Sequence, residues 1–457
     1  MNPANTRPIN IVGAGLAGAL LSVLLARRGF KITLYDRRPD PRETTAEGGR
    51  SINLALAARG IHALERAGVM DRVRPLLIPM RGRMVHDTSG STALHPYGQR
   101  EQEVIYSIGR AALNRVLIEE AARHNTVEMR FKQTCTAAIP ERNILRFQDR
   151  ANHSDSTEYE TPLAPTIATD GAGSAVRTSL ARAQQVSVRE DWLDHDYKEL
   201  TIPAQAGRHV LDGKSLHVWP RGGFMLIALP NTDGSFTATL FLARAGQNSF
   251  AALSSATAVD EFFRREFADA VPLMPDLARE FAAHPQGQLG TVHLTPWHIG
   301  GSVLLLGDAA HAIVPFHGQG MNAAFEDCIV LDGLLDRHDE WEPLFADFAH
   351  VRRPNAAAIA EMALENYTEM RDTVLDAGFV RRKAIAMELE RRFPDRFIPR
   401  YSMVMFHPEI PYAEAQRRGT VQAQILQEID SKRDASGATD ARLAETLVRE
   451  RLAPIAG

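Results

Sequence analysis

A glycine-rich turn near the N-terminus constrains the fold more than any other feature of this chain. The apolar run Ile9–Val12 leads into Gly13-Ala-Gly15-Leu-Ala-Gly18, and Ala19–Arg28 then has the Leu and Ala content of a helix. In such a turn the first glycine permits the tight bend, the second admits a pyrophosphate, and the third lets helix and strand pack closely. The pattern predicts a Rossmann-like α/β domain that binds a dinucleotide.

The strand after this helix supports the same prediction. Lys31–Tyr35 alternates in polarity and ends at Asp36, where a carboxylate would accept hydrogen bonds from a ribose diol. The phosphates would lie at the helix N-terminus, whose free N–H groups and dipole favour an anion. A turn that serves only chain reversal is disfavoured because the strand, helix and acidic residue all occur where the motif requires them.

Composition excludes several other classes of function. The 457 residues include 52 Lys and Arg against 56 Asp and Glu, so the formal net charge of −4 provides no basic surface for nucleic acid. The two cysteines, Cys135 and Cys328, are far apart and match no disulfide framework or metal site. The sequence shows neither a signal peptide nor an apolar run of about 18 residues. We therefore expect a cytoplasmic protein without a metal.

The patterns along the chain predict a discontinuous nucleotide-binding domain. Residues 197–245 form short β-type runs broken by turns, which predicts an inserted antiparallel sheet, and Ser302–Leu306 returns to a buried strand. The expected divisions are 1–75, 100–185 and 290–370 for the nucleotide-binding domain, 76–99 and 186–289 for a β-sheet substrate domain, and 371–457 for a helical C-terminal region.

Two later segments indicate which dinucleotide is bound. Asp170-Gly is followed by Ser174 and Arg177, and another apolar run ends in Gly307-Asp308. These segments resemble the second and third fingerprints of the FAD-dependent aromatic hydroxylases. The resemblance implies that Asp308 contacts the ribityl and pyrophosphate part of a tightly but non-covalently bound FAD. It also implies that the Asp170 segment serves both FAD and a transient nicotinamide cofactor.

A further glycine segment, Gly318-Gln-Gly320-Met-Asn-Ala, follows a Pro-Phe-His loop rather than a strand. It therefore predicts a helix N-terminus at which the N–H groups of Met321 and Asn322 stabilise negative charge on reduced flavin. A simple helix cap is the alternative. Because no other glycine turn follows a strand, NADPH is expected to bind transiently, without a Rossmann site of its own.

Six segments give a closer resemblance, to the kynurenine 3-monooxygenase family. They are RSINLAL (50–56), MRGRMVH (80–86), PYG (96–98), FHGQGMN (316–322), MALENYTEM (362–370) and RFIPRYSM (396–403). This family hydroxylates L-kynurenine to 3-hydroxy-L-kynurenine with FAD, NADPH and O₂, through a flavin C4a-hydroperoxide, in tryptophan degradation and NAD biosynthesis. The polar C-terminal sequence implies the bacterial branch, which has no membrane anchor.

The resemblance also implies the site residues. The residues expected to bind the polar end of the substrate are Arg83, Tyr97, Asn366 and Tyr401, and those expected to line its apolar slot are Leu229, Phe241, Pro315, Phe316 and Met370. The residues expected to bind FAD are Gly13, Gly15, Leu16, Ala17, Gly18, Asp36, Arg37, Ala55, Arg110, Asp170, Asp308, Gly320, Met321 and Asn322. An arginine fork and a phenol suit a carboxylate. For Leu229 and Phe241 an ordinary core position is the alternative.

The chemistry implied by the resemblance is carried by the flavin, so no side chain is assigned as a catalytic base. His317 remains open as a proton relay or a packing residue. The alternatives are an FAD hydroxylase of another aromatic amine or phenol, a reductase or halogenase of the same fold, and a non-enzymatic FAD-binding module. Trp297-His-Ile-Gly lacks the W-x-W-x-I-P segment expected of a halogenase. The oligomeric state also stays open, with a homodimer as one alternative.

Overall fold

A computed structural model describes residues 8–43, 53–149, 157–373, 376–433 and 440–455. Arg50, Ser51 and Ile52 of the RSINLAL segment lie outside these residues, as do the first seven residues and most of the polar segment near the C-terminus. No helix in the described ranges combines the length and the apolar character needed to cross a membrane.

The strands are β1 (Ile9–Val12), β2 (Ile32–Tyr35), β3 (Asn53–Leu56), β4 (Ile78–Met80), β5 (Gly82–His86), β6 (Thr92–Pro96), β7 (Ile105–Gly109), β8 (Val127–Arg130), β9 (Gln133–Ile139), β10 (Ile144–Asp149), β11 (Thr157–Pro162), β12 (Thr166–Ala168), β13 (Ser187–Ile202), β14 (Leu216–Pro220), β15 (Met225–Pro230), β16 (Phe236–Ala243), β17 (Gln286–Thr295), β18 (His298–Ile299) and β19 (Val303–Leu305).

The helices are α1 (Leu16–Arg27), α2 (Ala58–Arg66), α3 (Met70–Val73), α4 (Arg110–Ala121), α5 (Ala175–Arg182), α6 (Ala256–Glu266), α7 (Leu277–Ala283), α8 (Asp308–His311), α9 (Gly320–Leu334), α10 (Trp341–Thr368), α11 (Ala377–Arg392), α12 (Arg400–Phe406), α13 (Tyr412–Ser431) and α14 (Ala441–Arg451). A π-helical turn, Glu369–Thr373, follows α10 directly.

The chain divides into two units, the first of which comprises residues 1–78, 106–193 and 289–360. Its six-stranded sheet has the order β18-β19-β12-β1-β2-β8. All neighbouring pairs are parallel except β18 with β19. Strand β1 therefore lies between β12 and β2, and Ile9 and Ile11 are completely buried. A strand that is covered on both faces is apolar along most of its length. Strand β1 could therefore be predicted from the sequence as a short apolar run.

Helix α1 packs on this sheet because almost every side chain from Leu16 to Ala26 is apolar. Most of these side chains are also small or unbranched at Cβ. These residues suit a helix and leave nearly the whole of α1 buried, with Arg27 exposed at its last turn. The first unit also contains the antiparallel sheet β9-β10-β11 and the antiparallel pair β3 and β7. The mostly parallel six-stranded sheet with α1 packed on it confirms the Rossmann-like α/β domain predicted from the glycine turn.

The second unit comprises residues 79–105, 194–288 and 361–457. Its main sheet has the order β17-β13-β16-β15-β14-β5-β6. The strands β13 to β16 pair antiparallel as predicted, whereas β14 and β5 are parallel, with Val218 opposite Val85. These strands come from distant parts of the chain, so no hairpin turn dictates their relative direction. A helical layer covers one part of the sheet through Phe262, Phe263 and Phe267.

Residues 361–457 pack within the second unit, whereas the sequence assigned residues up to 370 to the nucleotide-binding domain and the rest to a separate helical region. Helices α11, α13 and α14 share a core that includes Leu389, Ile425 and Leu447. Helix α10 continues through Pro354, a residue more often found at a helix start.

Candidate active site

The three glycines of the first turn have three distinct environments. A Cβ on Gly13, whose φ is +106°, would lie 2.5 Å from the Thr169 carbonyl oxygen, and one on Gly18 would lie 1.9 Å from the Gly13 oxygen. A Cβ on Gly15 would have no atom of the described residues within 4 Å. Gly13 and Gly18 are therefore required by chain packing, while Gly15 leaves open space before α1. That space, at a helix start with no side-chain cap, fits a pyrophosphate.

Asp36 lies at the end of β2 and is held by its neighbours. Its carboxylate accepts hydrogen bonds from the N–H of Ala14 at 2.8 Å and of Arg38 at 2.8 Å. The Arg38 guanidinium donates to both carboxylate oxygens, at 3.0 and 2.9 Å. Sequence analysis named Arg37, which is exposed, and missed Arg38. A ribose diol bound at Asp36 would share the carboxylate with this arginine.

Asp170 follows β12 and has one carboxylate oxygen committed to the protein. Its Oδ2 accepts the N–H of Ala175 at 2.8 Å and so caps α5. Its Oδ1 is buried and has no hydrogen-bond partner within the described part of the chain. Burial raises the pKa of Asp170. A buried acceptor without a donor is costly, so this oxygen fits a ligand hydroxyl.

Arg177 connects the second and third fingerprints. It is almost completely buried, and it donates to the carbonyl oxygen of Ala309 at 2.9 Å and to that of Ala172. Burial is the main cause that lowers the pKa of Arg177. The sequence placed Arg177 in the second fingerprint, but it did not predict the contact of Arg177 with the third.

The third fingerprint follows β19. Gly307 has a φ of +61° and Asp308, which is partly buried, begins α8. The strands β19, β12, β1 and β2 are neighbours in the sheet, and each is followed by one of the predicted FAD segments, at Asp308, Asp170, Gly13 and Asp36. Ligands of open α/β sheets bind at the carboxyl ends of such strands.

The start of α9 is fixed by Asn322. Its side-chain oxygen accepts the N–H of Ala57 at 2.9 Å, and its side-chain nitrogen donates to the carbonyl oxygens of Ala55 and Gly318, both at 2.9 Å. The Asn322 side chain therefore joins the end of β3 to the turn before α9. It leaves the first N–H groups of α9, including those of Met321 and Asn322, at a helix N-terminus without a side-chain cap.

The remaining predicted residues of the first unit occupy two other positions. Arg110 is exposed at the start of α4. Pro315, Phe316 and His317 form a 3₁₀ turn in which the proline is exposed and the other two side chains are buried.

In the second unit, the structure brings together the four residues predicted for the polar end of the substrate. Arg83 Nη2 donates to Asn366 Oδ1 at 3.3 Å. The Arg83 guanidinium carbon lies 5.1 Å from the Tyr401 ring centroid and 6.0 Å from that of Tyr97. The two phenol rings stack with centroids 5.6 Å apart. Strand β5, the end of β6, α10 and α12 thus contribute one side chain each.

Glu369 is a member of this cluster that sequence analysis missed. Its carboxylate forms an ion pair with Arg83 Nη1 at 3.1 Å. The signal was available in the MALENYTEM segment, because residues three apart lie on the same side of a helix and Asn366 was already named. Asn366 also donates to the sulfur of Met370 at 3.3 Å.

The cluster keeps a positive charge and neutral phenols. Burial opposes the charge of Arg83, but its polar neighbours, among them the Glu369 carboxylate, outweigh it, so the pKa of Arg83 is raised. Burial raises the pKa of Tyr97, and it raises that of Tyr401 to about 12. Burial, aided by the Arg83 charge, lowers the pKa of Lys383 to about 8.

Two hydrogen-bond donors of this cluster are buried without a partner among the described residues. They are Arg83 Nε and the Tyr97 hydroxyl. An unpaired buried donor costs about 1–3 kcal/mol. An anionic group that accepts from both would remove this cost, and a carboxylate has the required lone pairs.

The predicted apolar residues of the second unit are all buried. Leu229 lies on β15, Phe241 on β16 and Met370 in the π-helical turn. Burial alone is equally expected of core residues, so their role in a substrate slot stays a prediction.

Comparison with known proteins shows the general class to which this protein belongs. Residues 6–338 match the family model of the FAD binding domain, so the protein is an FAD-binding flavoprotein. Its fold resembles that of 2-methyl-3-hydroxypyridine-5-carboxylic acid oxygenase, with a TM-score of 0.65, 18% identity, and coverage of 80% of this chain and 93% of that one. The aromatic hydroxylase fold predicted from the fingerprints is thereby confirmed.

The sequence relatives define the particular family. Kynurenine 3-monooxygenase of Xanthomonas euvesicatoria pv. vesicatoria (strain 85-10) is 46% identical over 458 residues, covering 100% of both chains. That of Stenotrophomonas maltophilia (strain K279a) is 45% identical and covers 99% of this chain and 98% of its own. The chain belongs to the kynurenine 3-monooxygenase family of FAD-dependent monooxygenases, as the six segments predicted.

Proposed function

We propose that the protein hydroxylates L-kynurenine at ring position 3, with FAD as cofactor and NADPH and O₂ as co-substrates. The observation that carries the proposal is the pair of buried donors without partners, Arg83 Nε and the Tyr97 hydroxyl, beside the Arg83–Glu369 ion pair. Membership of a family whose compared members are named for this substrate supports it.

The polar cluster suits the amino-acid end of this substrate. The carboxylate would accept from Arg83 and Tyr97, and the charge of Arg83 is maintained by its surroundings. Glu369 supplies the negative charge for the α-ammonium group. Asn366 and Tyr401 fix the guanidinium by a hydrogen bond and a ring contact. Recognition of both charges would exclude aromatic amines that lack the amino-acid group.

The first unit holds the residues proposed for FAD. Gly15 and the start of α1 would hold the pyrophosphate, Asp36 the adenosine ribose, and Asp308 the ribityl part. The N–H groups at the start of α9 would face the flavin ring. FAD, reduced by NADPH, supplies the activation of O₂ and the transfer of one oxygen atom to the substrate. The orphaned acceptor Asp170 Oδ1 supports an FAD or nicotinamide hydroxyl at that point.

No side chain is proposed as a catalytic base. The ring amino group of kynurenine already enriches the neighbouring position in electrons, so the protein has to orient the ring and exclude water rather than remove a proton. His317 remains an open alternative as a proton relay.

The test is NADPH consumption by the purified holoenzyme with and without L-kynurenine, followed by mass analysis of the product. The expected result is faster consumption and a product heavier by one oxygen atom. Arg83→Met should raise KM for kynurenine at least tenfold, whereas Arg81→Met, an exposed arginine of the same segment, should leave it unchanged. Consumption that yields only H₂O₂ would contradict kynurenine as substrate and favour another aromatic amine or phenol. A role in tryptophan degradation, a cytoplasmic location and a homodimer remain predictions.

A further inference from the structure

A buried carboxylate on α9 lies against the third fingerprint. Asp327 has no solvent exposure and accepts three hydrogen bonds from three different parts of the first unit. The donors are the N–H of Gly307 at 3.1 Å, His311 Nε2 at 2.7 Å and Arg352 Nε at 2.6 Å. One side chain therefore connects α9 with the Gly307-Asp308 turn, the end of α8 and α10.

This carboxylate is itself held in place. Arg352, which is also buried, donates to Glu326 at 2.6 Å and to the carbonyl oxygen of Ala323 at 3.3 Å. Arg59 forms an ion pair with the same Glu326. Burial would raise the pKa of Asp327, but His311 and Arg352 lower it to about 2, so the side chain is ionised.

The turn that Asp327 contacts has a conformation that needs such a restraint. Gly307 has a φ of +61°, and its carbonyl oxygen accepts the N–H groups of Ala310 and His311, both at 2.9 Å. A Cβ on Gly307 would come within 3.2 Å of the Ala324 Cβ on α9. The direction in which Asp308 leaves the turn is therefore set by Gly307, and the N–H of Gly307 is bound to Asp327.

Stability alone does not explain this arrangement. Burying an ion pair costs so much desolvation that apolar packing of similar volume is often as stable. The Asp327 carboxylate instead holds three hydrogen-bond donors in fixed positions. We propose that Asp327 is a positioning residue for the cofactor, which holds the Gly307-Asp308 turn in the geometry that lets Asp308 contact the ribityl part of FAD.

This inference rests on the FAD arrangement of the proposed function, and it extends the role of α9. Asn322 on the first turn of this helix holds the end of β3 and the turn at Gly318. Asp327, further along the same helix, holds the turn at Gly307. One helix would thus keep the contacts at the flavin ring and at the ribityl chain at a constant separation.

The test is the rate at which the holoenzyme releases FAD after dilution, followed by the rise in flavin fluorescence. In Asp327→Asn, the amide has a single acceptor oxygen and its NH₂ must face at least one of the three donors. We expect release at least tenfold faster, with an unchanged circular dichroism spectrum. The matched control is Glu326→Gln, which changes the adjacent carboxylate but leaves the bond to Gly307, and its release should stay within twofold of the wild type.

Wild-type release by a folded Asp327→Asn protein would overturn the inference, and so would equally fast release by Glu326→Gln. If Asp327→Asn does not fold, Arg352→Lys replaces it, because lysine keeps the charge but not the Nε–H directed at Asp327. It should release FAD at least threefold faster, and a wild-type rate would overturn the inference.

Asp308→Ala separates this inference from the FAD arrangement on which it rests. If Asp308→Ala releases FAD quickly while Asp327→Asn does not, only the positioning role fails. If Asp308→Ala keeps the wild-type rate, the proposed contact of Asp308 with FAD fails, and the role of Asp327 fails with it.

Discussion

At the scale of single residues, two buried histidines of the second unit form a hydrogen-bonded chain between a carboxylate and a backbone carbonyl oxygen. His86 Nδ1 lies 2.9 Å from Asp269, His86 Nε2 lies 2.9 Å from His217 Nδ1, and His217 Nε2 lies 2.9 Å from the Asp212 carbonyl oxygen. The carboxylate and the carbonyl only accept, so both outer nitrogens carry hydrogen.

Burial lowers the pKa of His217 to about 4. In the unfolded chain a histidine takes up its proton near pH 6.5. Since only the unfolded state binds this proton between those values, the stabilisation is complete above about pH 6.5 and is lost as the pH falls towards 4.

We predict that the free energy of unfolding falls by about 3 kcal/mol between pH 7 and pH 4 because of His217 alone. Urea unfolding across this range measures it. His217→Asn should reduce the pH dependence by that amount, while His62→Asn, at an exposed position, should leave it unchanged. An identical pH dependence for wild type and His217→Asn would contradict the assignment.

At the scale of elements, the glycines between β1 and α1 have different roles. Gly18 is needed for the chain to fold, whereas Gly15 leaves space for a ligand. Gly18 has no room for a Cβ, whereas Gly15 has open space and a φ of −70° that alanine also adopts. The two positions therefore make different demands on the sequence, although both belong to one motif.

We predict that Gly15→Ala changes the thermal stability of the FAD-free protein little but lowers FAD affinity at least tenfold, because a methyl group would occupy the space next to the pyrophosphate. Gly18→Ala should destabilise the protein itself by about 1–3 kcal/mol or more, since the backbone has to shift. Melting temperatures with and without FAD distinguish the two effects. Gly15→Ala with wild-type FAD affinity would show that the phosphates bind elsewhere.

The elements also show where the sequence was informative. Strands β1, β2 and β19 were predictable because buried parallel strands read as short apolar runs next to glycine or acidic residues. The parallel pairing of β14 with β5 was not, since two strands more than 100 residues apart share no local signal, and their direction depends on packing. The grouping of residues 361–457 with the second unit has no local signal either, because their helical pattern does not reveal which sheet they accompany.

At the scale of the whole molecule, the residues of the candidate site could be predicted where they lie in segments that resemble the family. Arg83, Tyr97, Asn366 and Tyr401 were named from these segments, and they lie together. Glu369 and Arg38 were missed because each acts through an ion pair with a named residue, and an ion pair between side chains leaves no periodic pattern in a single sequence.

The activity of the whole enzyme should depend on Lys383. Its ammonium group donates to the carbonyl oxygen of Pro96 at 3.1 Å and interacts electrostatically with Arg83 and Glu369. Because its pKa is lowered to about 8, this positive charge near the proposed carboxylate site is lost as the pH rises through 8.

We predict that kcat/KM for L-kynurenine falls about two- to fivefold between pH 7 and pH 9 through this group, an effect of the size expected for one partly screened charge. Steady-state kinetics of Lys383→Met should show a lower value at pH 7 and little of this decrease. Lys31→Met, at an exposed position of the first unit, should retain the wild-type profile. A wild-type pH profile in Lys383→Met would exclude the effect.

The interleaving of the two units along the chain also determines when each can form during synthesis. The first unit needs residues 289–360, and the second needs residues 361–457 as well as residues 79–105. Strand β1 leaves the ribosome early, but it pairs with β12, which is made later. Strand β12 in turn pairs with β19, which is made later still. Domains usually fold one after another from the N-terminus. Here the nascent chain must keep its first apolar strand and helix from aggregating until β19, about two thirds of the way along the 457 residues, has been made.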